Sequence, residues 1–416
     1  MPPPDPTTRL DRKLGTAQAT LLGLGSMVGA GVFVVFGLAA QAAGGWLLWG
    51  LVLAAVVAIC NALSSAQLAA LHPSSGGAYV YGRERLGPVW GFLAGWGFVF
   101  GKIASCGAMA LAIGSYLAPT DARAVALGSV ALLSAINASG VHRTARAMML
   151  TVPLVIAALV LVVVSGLGSD AFDSQRLWAP ASSGVQGVLQ AAALIFFAFA
   201  GYARIATLGE EVRTPARTIP RAIILAISIA LSVYTAVAIT GLGTLGVDRL
   251  AKSAAPLAEI IDLAGWPWAL GLVRFAAVVA AGGALLALLA GISRTMFAMA
   301  QNYDLPSWLG AVDQRRKVPV RAEVVTAVGV TIVVLMTDVL GAVGFSSFLV
   351  LWYYAVANLS SLRLPEPDRR WPPAVAALGL LGCLLLGFSL PPATMGAGAA
   401  VLLIGWLGRT LWAKPR

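Results

Sequence analysis

Charge is what this sequence has least of. Of its 416 residues only 11% are Asp, Glu, Lys or Arg, while 59% are hydrophobic. A soluble globular domain carries about 25% charged residues, so less than half that supply cannot wet the surface of a soluble fold of this length. Histidine is almost missing: the chain has two, His72 and His142, which excludes a histidine-based zinc centre. The three cysteines, Cys60, Cys106 and Cys383, sit in apolar stretches without a C-x-x-C pair. They imply no disulfide framework and no metal site, and they read as small core or lipid-facing residues. No cofactor is expected. Segments of about ten residues in strict apolar–polar alternation, the mark of a membrane β-barrel, are also absent. The polar, Pro-rich residues 1–16 lack the apolar core of a signal peptide and are expected to form a cytoplasmic tail.

Apolar runs are present in abundance. A helix needs about 20 apolar residues to cross the hydrocarbon core. That measure yields twelve spans, over 17–40, 44–69, 88–118, 123–141, 147–168, 184–208, 220–242, 266–299, 322–340, 343–362, 372–390 and 392–411. The fold class expected is an all-α integral membrane protein of twelve transmembrane helices. Its net charge of +11 resides in short loop clusters, so the partner is a lipid bilayer and no nucleic acid is implied. Lys and Arg accumulate on the cytoplasmic side of membrane proteins. Here Arg83 and Arg85 follow span 2, Arg213, Arg217 and Arg221 follow span 6, Arg363, Arg369 and Arg370 follow span 10, and Arg409 lies at the end of span 12. The opposite loops hold only Arg123, Arg176, Arg249 and Lys252. Both termini are therefore expected in the cytoplasm of a cell whose cytoplasmic membrane the protein crosses.

Two spans are not ordinary. Residues 23–31 contain six small residues in nine positions: Gly23, Gly25, Ser26, Gly29, Ala30 and Gly31. Gly25 and Gly29 form a G-x-x-x-G pair, which by itself would mark a helix-packing face. The wider density lowers helix propensity and points to a broken helix, tolerated at that depth only against protein or a cavity. In span 6 the aromatics Phe196, Phe197 and Phe199 precede Ala200-Gly201-Tyr202 and then polar groups. Interrupted segments at matching places in two halves point to a secondary-transporter site. Spans 1 and 6 are five apart, as an inverted five-helix repeat requires. Amides freed at such breaks suit a carboxylate, and freed carbonyls suit a cation or ammonium.

These segments resemble the amino acid–polyamine–organocation (APC) superfamily. Residues 23–33 are similar to its G-S-x-I-G-x-G-I-F pattern and residues 72–81 to its P-x-S-G-G-x-Y segment. Residues 196–220 resemble its F-F-A-F-x-G…E-E-x-x-x-P-x-R-x-I-P stretch, and Ser293-Arg294 with Asp304-Leu305-Pro306 its span 8 ending. The resemblance implies a five-plus-five inverted repeat with discontinuous helices 1 and 6: residues 17–182 as the first repeat, 183–364 as the second, and 365–416 as two further helices and a cytoplasmic tail. It implies amino-acid or amine substrates moved by alternating access. It also implies that the backbone of Ser26, Met27, Val28, Gly29, Ala30 and Gly31 holds the substrate carboxylate. Phe199, Ala200 and Gly201 would then receive the amino group, with Phe196 or Tyr202 as an aromatic lid.

The remaining charges need an account. Lys102 lies in the middle of span 3, where insertion of a charge costs at least about 2.5 kcal/mol. Arg204 follows the span 6 break, and Glu210, Glu211 and Arg294 are expected to form salt bridges of a cytoplasmic gate. Unlike several proton-coupled relatives in the superfamily, this chain has no ionisable residue over 148–167. Span 8 lacks a hydroxyl or acid over 275–292, which disfavours sodium and leaves a proton possible. Lys102 is then the proton-responsive charge, or else Lys102 or Arg204 is the counter-ion of an anionic substrate. A polytopic enzyme would require acid–His clusters or a nucleophile with its base, and a channel repeated pore segments or charged rings. Neither pattern is found.

Overall fold

An apolar run in hydrocarbon can satisfy its backbone only within itself, and helices dominate accordingly. The computed structural model describes residues 14–412 except 73–75, 140–143, 181–183, 207–211 and 314–317. In chain order the α-helices are α1 (Thr16–Met27), α2 (Ala30–Ala43), α3 (Leu47–Leu71), α4 (Ala78–Arg85), α5 (Pro88–Leu117), α6 (Ala122–Ala138), α7 (Thr144–Leu167) and α8 (Gly184–Phe199). They continue with α9 (Ala203–Ala206), α10 (Pro215–Lys252), α11 (Pro256–Leu263), α12 (Pro267–Gln301), α13 (Val320–Met336), α14 (Val339–Leu362), α15 (Pro373–Gly387) and α16 (Pro392–Trp412). Among the described residues the one β-element is an isolated parallel bridge between Leu14 and Val212.

Nine stretches among the described residues are long and apolar enough to cross a membrane. One of them, Gly31–Leu71, has 41 residues, about 60 Å of helix and twice the hydrocarbon thickness. It breaks at Gly44 (φ 61, ψ −135), so α2 and α3 are separate helices. The apolar helices α13 and α15, with 17 and 15 residues, are shorter. Hydropathy placed the end of the seventh run at 242, but α10 continues to Lys252 and kinks at Gly246 (φ 70). The short helices α4 and α11 occupy connections that hydropathy left without structure.

Burial separates inner from outer helices. In α5 the most apolar window is 89% buried, against 11% in α6 and α16. Helix α5 packs on α12 and α14, and its glycines and alanines permit the close approach. Cys60, Cys106 and Cys383 are all buried, in keeping with their reading as core residues. Cys383 belongs to a polar knot: Asn358 donates Nδ2–H to Asn61 Oδ1 at 2.6 Å, and Asn61 Nδ2 lies 3.2 Å from Cys383 Sγ. The knot joins α3, α14 and α15 at depth, where an unpaired amide has no water to turn to.

Replacing Asn358 with Leu removes the N–H donor to Asn61 Oδ1 and leaves Asn61 only its weaker contacts with the Cys383 thiol. Thermal unfolding of the purified protein is expected to register a loss of about 1 kcal/mol, whereas Leu411→Ala, at an exposed position, is expected to leave the midpoint unchanged.

Candidate functional site

The chain leaves helical geometry between α1 and α2, at Val28 (φ −81, ψ 28) and Gly29 (φ −75, ψ −141). A second departure follows Phe199, where a 3-10 turn over Ala200–Tyr202 leads into the one-turn α9. The two departures touch. A Cβ on Gly201 would lie 2.3 Å from the Ser26 carbonyl oxygen, and one on Gly31 would lie 2.8 Å from Ala198 Cα. Only a hydrogen fits at either place, which gives the small residues of both segments a steric reason.

Breaking a helix releases carbonyls, and two buried tyrosines recover them. Tyr234 on α10 directs its hydroxyl at Met27 O (2.6 Å) and Ala198 O (3.0 Å), spanning both breaks with one group. Tyr354 on α14 donates to Ala200 O at 3.2 Å. The rings of Phe199 and Phe196 stand edge-on to Tyr234 and Tyr354, with centroids 5.0 and 5.7 Å apart.

Beside the breaks lies a cavity of about 110 Å³. Helix α5 supplies Phe98, Lys102, Ser105 and Met109, spaced 4, 3 and 4 residues apart on one face. Helix α12 supplies Ala287, Leu288, Gly291, Arg294 and Thr295, which share one helical face. Ser26, Ala200, Gly201, Arg204 and Phe197 close it from the two breaks, with Tyr353 from α14. Lys102 is 6% exposed. Among the described residues no carboxylate lies within ion-pair reach of its ammonium.

Of the residues singled out in the sequence, Ser26, Ala200, Gly201, Lys102, Arg204 and Arg294 are brought together around this cavity. Val28 lines a separate, smaller cavity with Val152 and Ala284. Met27, Gly29, Gly31, Phe196, Phe199 and Tyr202 are outside the lining, and of the aromatics singled out in span 6 the one lining the cavity is Phe197, which it shares with Phe98 and Tyr353. Ala30 begins α2. Glu210 and Glu211 lie outside the described residues. Sequence reading passed over Tyr234 and Tyr354. The available signal was a tyrosine inside an apolar run, whose hydroxyl needs a buried partner.

A sequence model described as amino acid permease matches residues 14–406. The chain belongs to the amino acid permease family. A Mycobacterium tuberculosis protein designated only as a transporter is 53% identical over 403 residues, covering 97% of this chain and 92% of its own. The branched-chain amino acid permease BcaP of Bacillus subtilis is 28% identical over 336 residues, 74% of this chain and 71% of that protein. Cationic amino acid transporter 4 of Homo sapiens is 29% identical over 387 residues, 86% of this chain and 60% of that one. This permease is thus a multi-pass membrane transporter and not an enzyme.

Among the described residues of the permease, the densest ionic cluster lies away from the cavity, at the end of α12. The carboxylate of Asp304 accepts Arg83 Nη1–H and Tyr79 Oη–H on Oδ2, both at 2.9 Å, and Arg409 Nε–H on Oδ1 at 3.1 Å. Burial, reinforced by the neighbouring carboxylate, pushes the Tyr79 phenol well above its usual range, so it remains a donor. Arg83 and Arg409, which the sequence marked only as orientation signals, here tie α4 and α16 to α12.

Two outcomes follow from these contacts. Gly201→Ala drives a Cβ into the Ser26 backbone, which has no flexible atom to yield, and is expected to abolish uptake in proteoliposomes; Gly271→Ala, with nothing within 4 Å, is expected to retain it. Asp304→Ala leaves two arginines facing one another and is expected to lower stability in a thermal melt by about 2 kcal/mol. That is below the cost of a fully buried broken pair because the Arg83 side chain keeps 31% exposure.

Proposed function

We propose that this protein is a secondary active transporter moving amino acids, or related amines and amino-acid derivatives, across the cytoplasmic membrane by alternating access. The observation that carries the reading is the contact of two helix breaks beside a buried cavity with polar groups in its wall. In this reading α1 with α2 forms span 1, α3 span 2, α5 to α7 spans 3 to 5, and α8 with α9 span 6. Helices α10, α12, α13, α14, α15 and α16 are spans 7 to 12. Residues 17–182 and 183–364 are then the two inverted repeats, and 365–416 hold the last two helices. The bridge between Leu14 and Val212, with Arg213 N–H donating to Leu14 O at 3.1 Å, supports it. The chain entering span 1 runs beside the chain leaving span 6, as inverted half-helices with both termini cytoplasmic require.

The substrate carboxylate meets the span 1 backbone over Ser26 to Gly31, and its amino group the carbonyls around Phe199, Ala200 and Gly201. A carbonyl has two lone pairs, so Ala198 O and Ala200 O keep acceptor capacity beyond their tyrosine bonds. Phe197 takes the aromatic covering role expected of Phe196 or Tyr202. Transport is driven by a proton gradient or by exchange, and sodium is disfavoured because α12 offers no hydroxyl or acid over 275–292. Lys102 is the proton-responsive group; Ser105 and Cys106 flank it on α5, and Arg204, Arg294 and Tyr353 share its cavity.

The purified protein in liposomes, offered a panel of labelled amino acids, is expected to accumulate at least one of them faster when the lumen is alkaline. Lys102→Met is expected to remove that stimulation. Full pH-dependent uptake by the variant would take Lys102 out of the coupling step, sodium-driven uptake would overturn the proton assignment, and uptake of no amino acid would overturn the transporter reading.

A further inference from the structure

The cavity holds more positive charge than a neutral amino acid can answer. Three cations reach its wall, Lys102, Arg204 and Arg294, and among its described lining residues there is no aspartate or glutamate. The three are not equivalent. Arg294 is solvent-exposed and has Glu323 as an electrostatic neighbour, and Arg204 has an interaction of its own. Lys102 differs from both. It is buried in the middle of the 30-residue α5, it faces the cavity, and no hydrogen-bond or ion-pair partner for its ammonium is found among the described residues.

An ammonium in a low-dielectric wall is costly until an anion joins it. The α-carboxylate of an amino acid is committed, in the reading above, to the broken backbone of span 1. The α-amino group goes to the carbonyls of span 6. Neither remains for Lys102. A second carboxylate on the substrate side chain would reach it, with the Ser105 hydroxyl one helical turn along the same face. A cationic side chain in that position would instead meet three like charges.

We infer that the substrate is an acidic amino acid or a close dicarboxylate analogue, that Lys102 is the side-chain counter-ion, and that cationic amino acids are rejected. The inference rests on the transporter reading and narrows it. It also separates this chain from relatives designated as cationic amino acid transporters. The ammonium is the form that pairs with the anion.

Competition distinguishes the possibilities. Proteoliposomes holding the full-length protein are assayed for uptake of labelled glutamate, aspartate, leucine and arginine, each against an unlabelled excess of the others and of glutarate. Glutamate or aspartate is expected to be taken up and to compete at least about tenfold better than leucine or arginine, the ratio that one charge-assisted contact supplies. Lys102→Arg is expected to keep the acidic preference and Lys102→Met to lose it. Uptake of leucine or arginine that acidic amino acids fail to inhibit overturns this inference and leaves the transporter reading standing. Uptake of no amino acid overturns both. Should Lys102→Met fail to reconstitute, the wild-type competition order decides alone.

Discussion

A backbone polar group without a partner inside a bilayer costs several kcal/mol, and the arrangement around the cavity answers that constraint. Two apolar helices are interrupted, each releasing carbonyls and amides from their helical partners. The hydroxyl of Tyr234 serves Met27 O and Ala198 O together, and Tyr354 serves Ala200 O. For one hydroxyl to reach two breaks, the breaks must lie within a few ångströms of each other. Gly201 against Ser26 and Gly31 against Ala198 provide that approach. The small residues, the tyrosines and the position of the cavity are three consequences of one requirement.

Charge is disposed with the same economy. Asp304 gathers Tyr79, Arg83 and Arg409 around one carboxylate, so that α4, α12 and α16 share a polar joint at one end of the bundle. The cavity has the opposite character, with cations in its wall and hydroxyls between them. A saturated joint gives rigidity to the frame, while an unsaturated cation leaves an interaction for a ligand to complete. The joint contains its own carboxylate, whereas the described lining of the cavity contains none.

Much of the frame was legible because membrane solvent imposes a coarse rule. Hydropathy found the runs, and the stretch of small residues over 23–31 brackets the first break at Val28 and Gly29. The Ala200-Gly201-Tyr202 interruption was equally visible. Rotational phase was harder to read. Phe196 and Phe197 are neighbours in sequence, but successive residues on a helix point about 100° apart, and which ring faces the cavity depends on how α8 is turned against α2 and α3. The same holds for Lys102: its cost at mid-span was evident, but its alignment with Phe98, Ser105 and Met109 toward α12 came from packing.

By itself the sequence determined that the chain lives in a bilayer, where most of its apolar helices begin and end, α10 running ten residues beyond its apolar stretch, and where two of them must break. Those properties depend on local composition and on one solvent. Only the tertiary structure decided that the breaks meet, that Tyr234 and Tyr354 bond to their carbonyls, that Lys102 enters their cavity, and that Asp304 joins Arg83 and Arg409 in one ionic joint. Contacts of that kind join residues from 36 to 225 positions apart, from Tyr234 with Ala198 to Tyr79 with Asp304. They depend on the rotation and tilt of each helix against its neighbours, which no local pattern encodes.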